Sequence, residues 1–381
     1  MAFVILGAGS IGCHIGGALA HHPDYAAETW LVGRPRLRDA IAISGLTLTH
    51  FRQEPYTIPA AELHYEVDLA HVKQVAGHCA YLIITLKGPQ MEEALVDLDK
   101  SGLVDRDTVL VSFQNGARNP ALLRAVFPDN VVLGGMVPYN IASVPGEGVH
   151  FRQGNPGRMM IEKHAQSGPL VKAMQNSGLS IEEADDIEGV MYGKLSSNLN
   201  NAINALSNLP LLQEFSTYGY RSLWARCIQE SLDVYANHSP PITIVSAPAL
   251  PFPHWLFCKI LGMPDMLARY FFGKIGGIHE GASSSMRDDL QRSQKTEIDD
   301  LNGWIVKLAV GGDVMVDAED VDRSKQGFEP RCKYVHGIYH LVKEVERRQA
   351  LRGEWAGWMP SLSSEAIVEY VEKGDVEAYP F

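Results

Sequence analysis

Cysteine is scarce in this chain and never grouped. Cys13, Cys79, Cys227, Cys258 and Cys332 are all there is in 381 residues, with no C-x-x-C pair and no histidine at metal-ligand spacing. Their scatter argues against a disulfide framework or a structural zinc site and fits a reduced, cytoplasmic, metal-free protein. Basic charge is in deficit too, with 33 Lys and Arg against 45 Asp and Glu for a net charge of −12. No Lys/Arg-rich run gathers the positive charge that binding a phosphate backbone requires, so nucleic acid is not an expected partner. Long apolar runs are also missing. The most apolar region, Pro240 to Gly277, is broken by Pro241, Pro248, Pro251, Pro253 and Pro264 and carries Lys259, Asp265 and Arg269. Nothing there reaches the roughly 20 uninterrupted apolar residues of a membrane span. The opening Met1–Leu6 lacks the basic flank and small-residue cleavage site of a signal peptide and runs straight into a glycine-rich loop, so it reads as a strand.

The length allows two domains, each with its own core. In the first part, Phe3–Leu6, Thr29–Val32, Tyr81–Thr85, Val109–Phe113 and Val131–Val137 are nearly continuous apolar runs, the pattern of strands covered on both faces. Helix-like stretches alternate with them at Ile11–His21, Gln90–Leu98 and Pro120–Val126, which predicts a doubly wound α/β sheet. The segments Thr47-Leu48-Thr49 and Tyr56-Thr57-Ile58 suggest a small hairpin excursion. Short strands at Gly148–Gln153, Arg158–Glu162 and Leu179–Glu183, around one helix, are expected to finish the first sheet with antiparallel edges. From Ile187 onward strand signals nearly vanish. The expected organisation is a dinucleotide-binding Rossmann-type domain over 1–186 followed by a mostly α-helical domain over 187–381.

Gly7-Ala8-Gly9-Ser10-Ile11-Gly12 follows the first strand and opens a helix, the context in which G-x-G-x-x-G has a physical meaning. Gly7 allows the tight turn, Gly9 lets the backbone approach a pyrophosphate, and Gly12 lets helix and strand pack closely. The helix N-terminus offers N–H groups and partial positive charge to the phosphates. Dinucleotide sites that take NAD place an acidic residue after the second strand to hold the ribose 2′-hydroxyl. Gly33-Arg34 stands there instead, and Arg34, with Arg36 and Arg38 nearby, suits the 2′-phosphate of NADPH. Two more strand ends point the same way: Lys87, whose ammonium suits a cofactor phosphate or a substrate carboxylate, and Gln114-Asn115-Gly116, whose amides suit the nicotinamide ribose and the substrate.

In the second part, Lys194, Asn198 and Asn201 are spaced i, i+4 and i+7, which puts all three on one face of an otherwise apolar helix. Asparagine is a poor helix former, so two on one stripe ask for a reason beyond stability. Ser285 with Asp288 reads as a capping box and predicts a helix start. Ile298, Leu301, Ile305 and Leu308 mark a buried helical stripe, with Glu297 at its edge.

Taken together, these motifs resemble the ketopantoate reductase (2-dehydropantoate 2-reductase) family. The likeness is carried by Gly7–Gly12, Gly33-Arg34, Thr85-Leu86-Lys87, Gln114-Asn115-Gly116, Gly193-Lys194 with Asn198, and Ser284-Ser285-Met286 followed by Thr296-Glu297-Ile298-Asp299. It extends from Met1 to about Glu346. The resemblance implies that Lys194 is the catalytic acid, that Glu297 binds a substrate hydroxyl and assists, and that Asn115, Asn198 and Ser285 touch cofactor or substrate. The chain departs from the pattern in three places. Ala202 stands where the family has a second substrate-binding Asn, leaving Asn201 as an imperfect substitute. The Pro-rich stretch 239–277 is longer and more apolar than is usual, and the tail after 346 is extra.

The activity so implied is NADPH-dependent reduction of 2-dehydropantoate to pantoate, as in pantothenate and coenzyme A biosynthesis, with Lys194 stabilising and protonating the oxygen as charge develops on it. Alternatives are a same-fold reductase of another 2-keto acid, which Ala202 and the insertion favour, and a non-catalytic NADPH sensor, which the presence of both Lys194 and Glu297 disfavours. A dehydrogenase working in the oxidative direction would more often carry the missing acid after the second strand. The insertion suits a lid, an oligomer contact such as a homodimer interface, or extra helical core.

Overall fold

Ala2–Leu6 form the first strand, β1, and all five of its residues are buried, as a strand covered on both faces must be. It lies at the centre of a sheet in the computed structural model, which describes every residue except 246–251, 276–277, 279, 312–327, 352–356 and 374–378. The chain divides into two compact units between Met191 and Tyr192.

The other strands of the first unit are β2 (Thr29–Val32), β3 (Leu46–Thr49), β4 (Tyr56–Ile58), β5 (His64–Glu66), β6 (Cys79–Ile84), β7 (Val109–Ser112), β8 (Val132–Met136), β9 (Ile141–Ser143), β10 (Val149–Gln153), β11 (Met159–Glu162) and β12 (Ile181–Ala184). Eight of them make one sheet in the order β12-β11-β8-β7-β6-β1-β2-β5. Its pairings are parallel except where β11 meets β8. Helices α1 (Ser10–His21), α2 (Pro35–Ser44), α3 (Leu69–Ala76), α4 (Met91–Ser101), α5 (Arg118–Val126) and α6 (Gly168–Asn176) complete a Rossmann-like unit.

The expected small hairpin is present as β3 and β4, paired antiparallel from Leu46↔Ile58 to Leu48↔Tyr56. It belongs to a second sheet of four strands, β4-β3-β10-β9. That sheet corrects one expectation: β10 does not finish the large sheet with β11 and β12 but pairs parallel with β3, Val149 opposite Leu46 and Phe151 opposite Leu48. The reason lies in its alternation. Val149 and Phe151 fill one core with Leu46, Leu48 and Ile58, whereas Met159 and Ile161 of β11 pack into the core of the large sheet.

Helix α1 runs between the two sheets, and every residue from Gly12 to Ala20 is buried. A Cβ on Gly16 would meet Leu31 and Ile5 of the large sheet, and one on Gly17 would meet Leu46 and Leu48 of the small one.

The second unit is helical. It contains most of α7 (Ile187–Asn198), then α8 (Asn200–Ser207), α9 (Leu211–Phe215), α10 (Tyr218–Asn237), α11 (His254–Leu261), α12 (Asp265–Tyr270), α13 (Ser285–Gln291), α14 (Asn302–Ala309), α15 (Phe328–Leu351) and α16 (Ser364–Lys373). The inner face of the 239–277 insertion is core. Phe257, Leu261, Ala268 and Phe272 are buried, and Trp224 of α10 meets Phe257 edge-on and stacks on Phe215. Arg221, with no exposed surface, ties the insertion down by donating to the carbonyls of Leu261 at 3.0 Å and Met263 at 2.5 Å and to the carboxylate of Asp265 at 2.9 Å. Trp255, Met266, Leu267 and Tyr270 face outward. The tail beyond 346 is built into the unit as well: Leu362 donates its N–H to Leu206 and accepts from the Tyr220 hydroxyl, and Ile367, Tyr370 and Val371 of α16 are buried. No helix among the described residues is long and apolar enough to cross a membrane.

Candidate functional site

The loop between β1 and α1 is shaped by contacts that only glycine permits at two places. Gly7 has φ +103°, and a Cβ there would lie 2.7 Å from the backbone nitrogen of Leu86. On Gly12 a Cβ would lie 2.3 Å from the carbonyl oxygen of Gly7 and 2.7 Å from Oγ1 of Thr85. The turn is fastened by the N–H groups of Gly7 and Ala8, both donating to Val32 at 2.9 Å, and by Thr85 Oγ1, which donates to Gly7 at 2.9 Å. Thr85 enters the sequence reading only within the Thr85-Leu86-Lys87 segment; that its hydroxyl fastens the glycine turn was not read from it.

Gly9 differs from both. A Cβ there would have nothing nearer than 3.9 Å, and Gly9 caps α1 without any side-chain hydrogen bond to the first-turn N–H groups. An open approach to uncapped helix N–H groups, with Ser10 and Ile11 partly exposed beside it and Ala8 buried beneath, fits a dinucleotide pyrophosphate.

Because β7, β6, β1 and β2 are parallel neighbours, their carboxyl ends lie along one edge of the sheet. That edge brings together Asn115 after β7, Lys87 after β6, Gly7–Gly12 after β1 and Arg34 after β2. Arg34 is exposed and caps α2 ahead of Pro35, with its carbonyl accepting from the Tyr65 hydroxyl at 3.4 Å. Lys87 is exposed, and Asn115 is half-buried. Gln114 serves as structural support: its buried amide donates to the Leu86 carbonyl at 2.9 Å and accepts from Ser112 at 3.0 Å.

In the second unit, α7 is buried along its length from Val190 except at Lys194, Ser197 and Asn198, and Asn201 continues that partly exposed stripe. The helix is not continuous, however. Residue 199 is a turn, so Lys194 and Asn198 sit on α7 while Asn201 stands in the first turn of α8. Ala202 has no exposed surface at all, so its methyl group does not share the stripe.

Packing around Lys194 is close. A Cβ on Gly193 would lie 2.3 Å from the carbonyl oxygen of Val245, and His254 Nε2 sits 3.4 Å from the Gly193 carbonyl, so the insertion presses on α7 one residue before the lysine. The resulting desolvation pushes the Lys194 ammonium down to about 8, while the charge of Glu297 opposes the shift. Glu297 itself is buried, at 6% exposure. It lies not on a helix but in a turn, accepting at its carbonyl from the N–H groups of Asp300 at 3.1 Å and Leu301 at 3.0 Å, with α14 beginning only at Asn302. Thr296 anchors this turn by donating its N–H to Glu346 Oε1 at 2.6 Å.

The cap of α13 is Ser284, not Ser285: the Ser284 hydroxyl accepts from the Arg287 N–H at 3.2 Å. Ser285 is the first helical residue and is exposed, which leaves its hydroxyl outside the capping interaction. Among the described residues no group of three or more His, Cys, Asp or Glu could hold a metal ion.

Comparison with known proteins matches two family models. Ketopantoate reductase PanE/ApbA covers residues 3–166, and the ketopantoate reductase PanE/ApbA C-terminal model covers 186–316. No curated protein matches the sequence. Among solved structures, the PanE/ApbA family ketopantoate reductase from Ralstonia eutropha JMP134 is similar at 23% identity and TM-score 0.69, over 92% of this chain and 100% of that one. The 2-dehydropantoate 2-reductase from Methylococcus capsulatus is similar at 19% identity and TM-score 0.67, over 93% and 99%. A D-mandelate dehydrogenase solved with NADH and anilino(oxo)acetate is similar at 19% identity and TM-score 0.67, over 91% and 100%.

Proposed function

The chain belongs to the ketopantoate reductase family, and from that premise we propose that it reduces a 2-keto acid with NADPH, ketopantoate to pantoate being the first substrate to test. The observation that carries this reading is Lys194, an ammonium whose pKa burial brings down to about 8 against the opposing effect of the buried Glu297. When bound, the cofactor supplies a hydride to the keto carbon. The oxygen then takes on negative charge, and Lys194 stabilises it and delivers the proton. Glu297 orients the ammonium and accepts from a substrate hydroxyl. Asn198, Asn201 and Ser285 offer neutral hydrogen bonds to carboxylate and hydroxyl groups. On the nucleotide side, Gly7, Ala8, Gly9, Ser10, Ile11 and Gly12 receive the pyrophosphate, Arg34 pairs with the 2′-phosphate, and Lys87 and Asn115 reach the remaining phosphate and ribose.

A second reading keeps the reaction and changes the substrate to a 2-keto acid without ketopantoate's hydroxyl. Ala202 favours it, because this chain lacks the second amide that the family resemblance places at that position. Nicotinamide oxidation followed against a panel of 2-keto acids, ketopantoate and an aryl-substituted acid among them, decides between the two. Failure to turn over any member refutes both.

Cofactor choice is tested separately. Arg34→Ala is expected to lower the preference for NADPH over NADH by roughly tenfold or more, the loss of a charge-assisted phosphate contact at an exposed site. An unchanged ratio of the two kcat/KM values removes Arg34 from the cofactor site.

A further inference from the structure

A buried carboxylate in the second unit is left unused by the mechanism above. Glu214, on the short helix α9, has no exposed surface. Its Oε2 accepts from Asn204 Nδ2 at 2.6 Å and from the Ser207 hydroxyl at 3.0 Å, both on α8. Asn204 also donates to the carbonyl of Leu209 at 2.9 Å. With both protons of the amide directed to these acceptors, Asn204 Oδ1 is left to face the other way, and there it accepts from the backbone N–H of Ser284 at 3.1 Å. The same segment is held twice more: the Ser284 hydroxyl donates to the Asn201 carbonyl at 3.3 Å, and Arg287 donates to the Ser283 hydroxyl at 3.2 Å and to Asn208 Oδ1 at 2.9 Å.

We propose that Glu214 is a positioning residue: by fixing which way the Asn204 amide points, it sets the Ser283–Ser285 segment against α8 and so places Ser285 for the substrate. The substrate half of this statement rests on the proposed 2-keto acid reduction; the placement of the segment does not. An amide buried without the carboxylate could turn over, and its nitrogen would then face the Ser284 N–H, two donors in contact. One more detail fits. Glu214 Oε1 is buried and has no hydrogen-bond donor among the described residues, so a proton there leaves Oε2 free to accept from Asn204 and Ser207. Burial favours that proton by pushing the carboxyl up to about 7, against the opposing pull of Asn204, Asn200, Ser207 and Arg287.

The test uses the full-length protein and two readouts. In hydrogen–deuterium exchange, Glu214→Ala is expected to speed exchange across residues 282–287 by about tenfold, the loss of roughly one hydrogen bond's protection, and to leave the strands of the first unit unchanged. Glu214→Gln, whose amide oxygen keeps an acceptor toward Asn204 and Ser207, is expected to restore wild-type exchange. In steady-state assays Glu214→Ala is expected to raise KM for the 2-keto acid about tenfold, to change kcat by less than about threefold and to leave KM for NADPH unchanged. If Glu214→Ala does not fold, Glu214→Asp, which withdraws the carboxylate from Asn204 by one methylene, takes its place. Wild-type exchange over 282–287 in the folded variant overturns the proposal, as does a loss of kcat with KM for the keto acid unmoved. Exchange needs no turnover, so an enzyme inactive on every 2-keto acid refutes the proposed reaction and leaves the placement of the segment to be judged by exchange alone.

Discussion

Lys194→Ala is expected to bind NADPH as the unaltered protein does and to lose ~10²–10⁴-fold in kcat, the usual contribution of a positioned general acid. The expectation follows from the proposed separation of roles, which puts the nucleotide contacts in loops of the first unit and the ammonium on α7. Equal turnover in the variant would remove Lys194 from the reaction. The pH dependence makes the test sharper. Because desolvation lowers the Lys194 pKa to about 8, the ammonium is intact below that pH and is lost as pH rises through it. Reduction should therefore be level at lower pH and decline above about 8, and oxidation of the hydroxy acid, which needs the neutral amine, should rise over the same interval. Glu297 raises that pKa, so Glu297→Gln is expected to move the declining limb to lower pH. A limb that stays in place would show that Glu297 does not govern the ammonium.

Gly12→Ala should abolish cofactor binding at working concentrations. The added methyl would sit 2.3 Å from the Gly7 carbonyl oxygen, a backbone atom, and 2.7 Å from the Thr85 hydroxyl, which is itself held by its bond to Gly7. The loop must shift, at a cost of about 1–3 kcal/mol for overpacking, and a shift of the Gly7–Gly9 backbone withdraws the N–H groups that meet the phosphates. A lowered Tm together with a Kd for NADPH weakened by about 100-fold is the expected pair of results. Gly9→Ala separates the two effects. Its methyl has free space around it, so stability should hold; NADPH affinity should fall if that space is, as proposed, the approach of the pyrophosphate. Undiminished affinity in both variants would detach this loop from nucleotide binding.

The central strands β1, β2, β6, β7 and β8 were readable because a strand covered on both faces must be apolar throughout, as β1 is, and because Gly7–Gly12 sits where such a strand turns into a helix; the edge strand β5, His64–Glu66, was not, being short, polar and only half-buried. The second sheet was not readable as such. Whether Val149–Gln153 pairs with Met159–Glu162 or with Leu46–Thr49 depends on contacts made across about a hundred residues of chain, and alternation alone does not name the partner. The break at residue 199 has no proline or glycine to announce it, and Leu199 keeps near-helical angles of φ −58° and ψ −22°. Ser284 and Ser285 are interchangeable in a capping pattern, and only the hydrogen bond to the Arg287 N–H distinguishes them. The stripe from Ile298 to Ile305 is buried as its spacing suggests, but Leu301, at φ −100° and ψ −91°, interrupts it, and the turn rather than a helix face carries Glu297. Glu214 carried no signal beyond being an acidic residue between Leu212 and Phe215.

Helix α1 is held from two sides, by Leu31 and Ile5 of one sheet and by Leu46 and Leu48 of the other, closely at Gly16 and more closely still at Gly17. A helix gripped in this way cannot tilt or slide to greet a ligand. If the loop at its amino end receives the nucleotide as proposed, little of the binding energy would be spent on ordering that helix. On the proposed assignment the same packing limits evolution of the site: a change of nucleotide would fall to exposed positions such as Arg34, while the loop Gly7–Gly12, closed against Leu86 and Thr85, has little room to change.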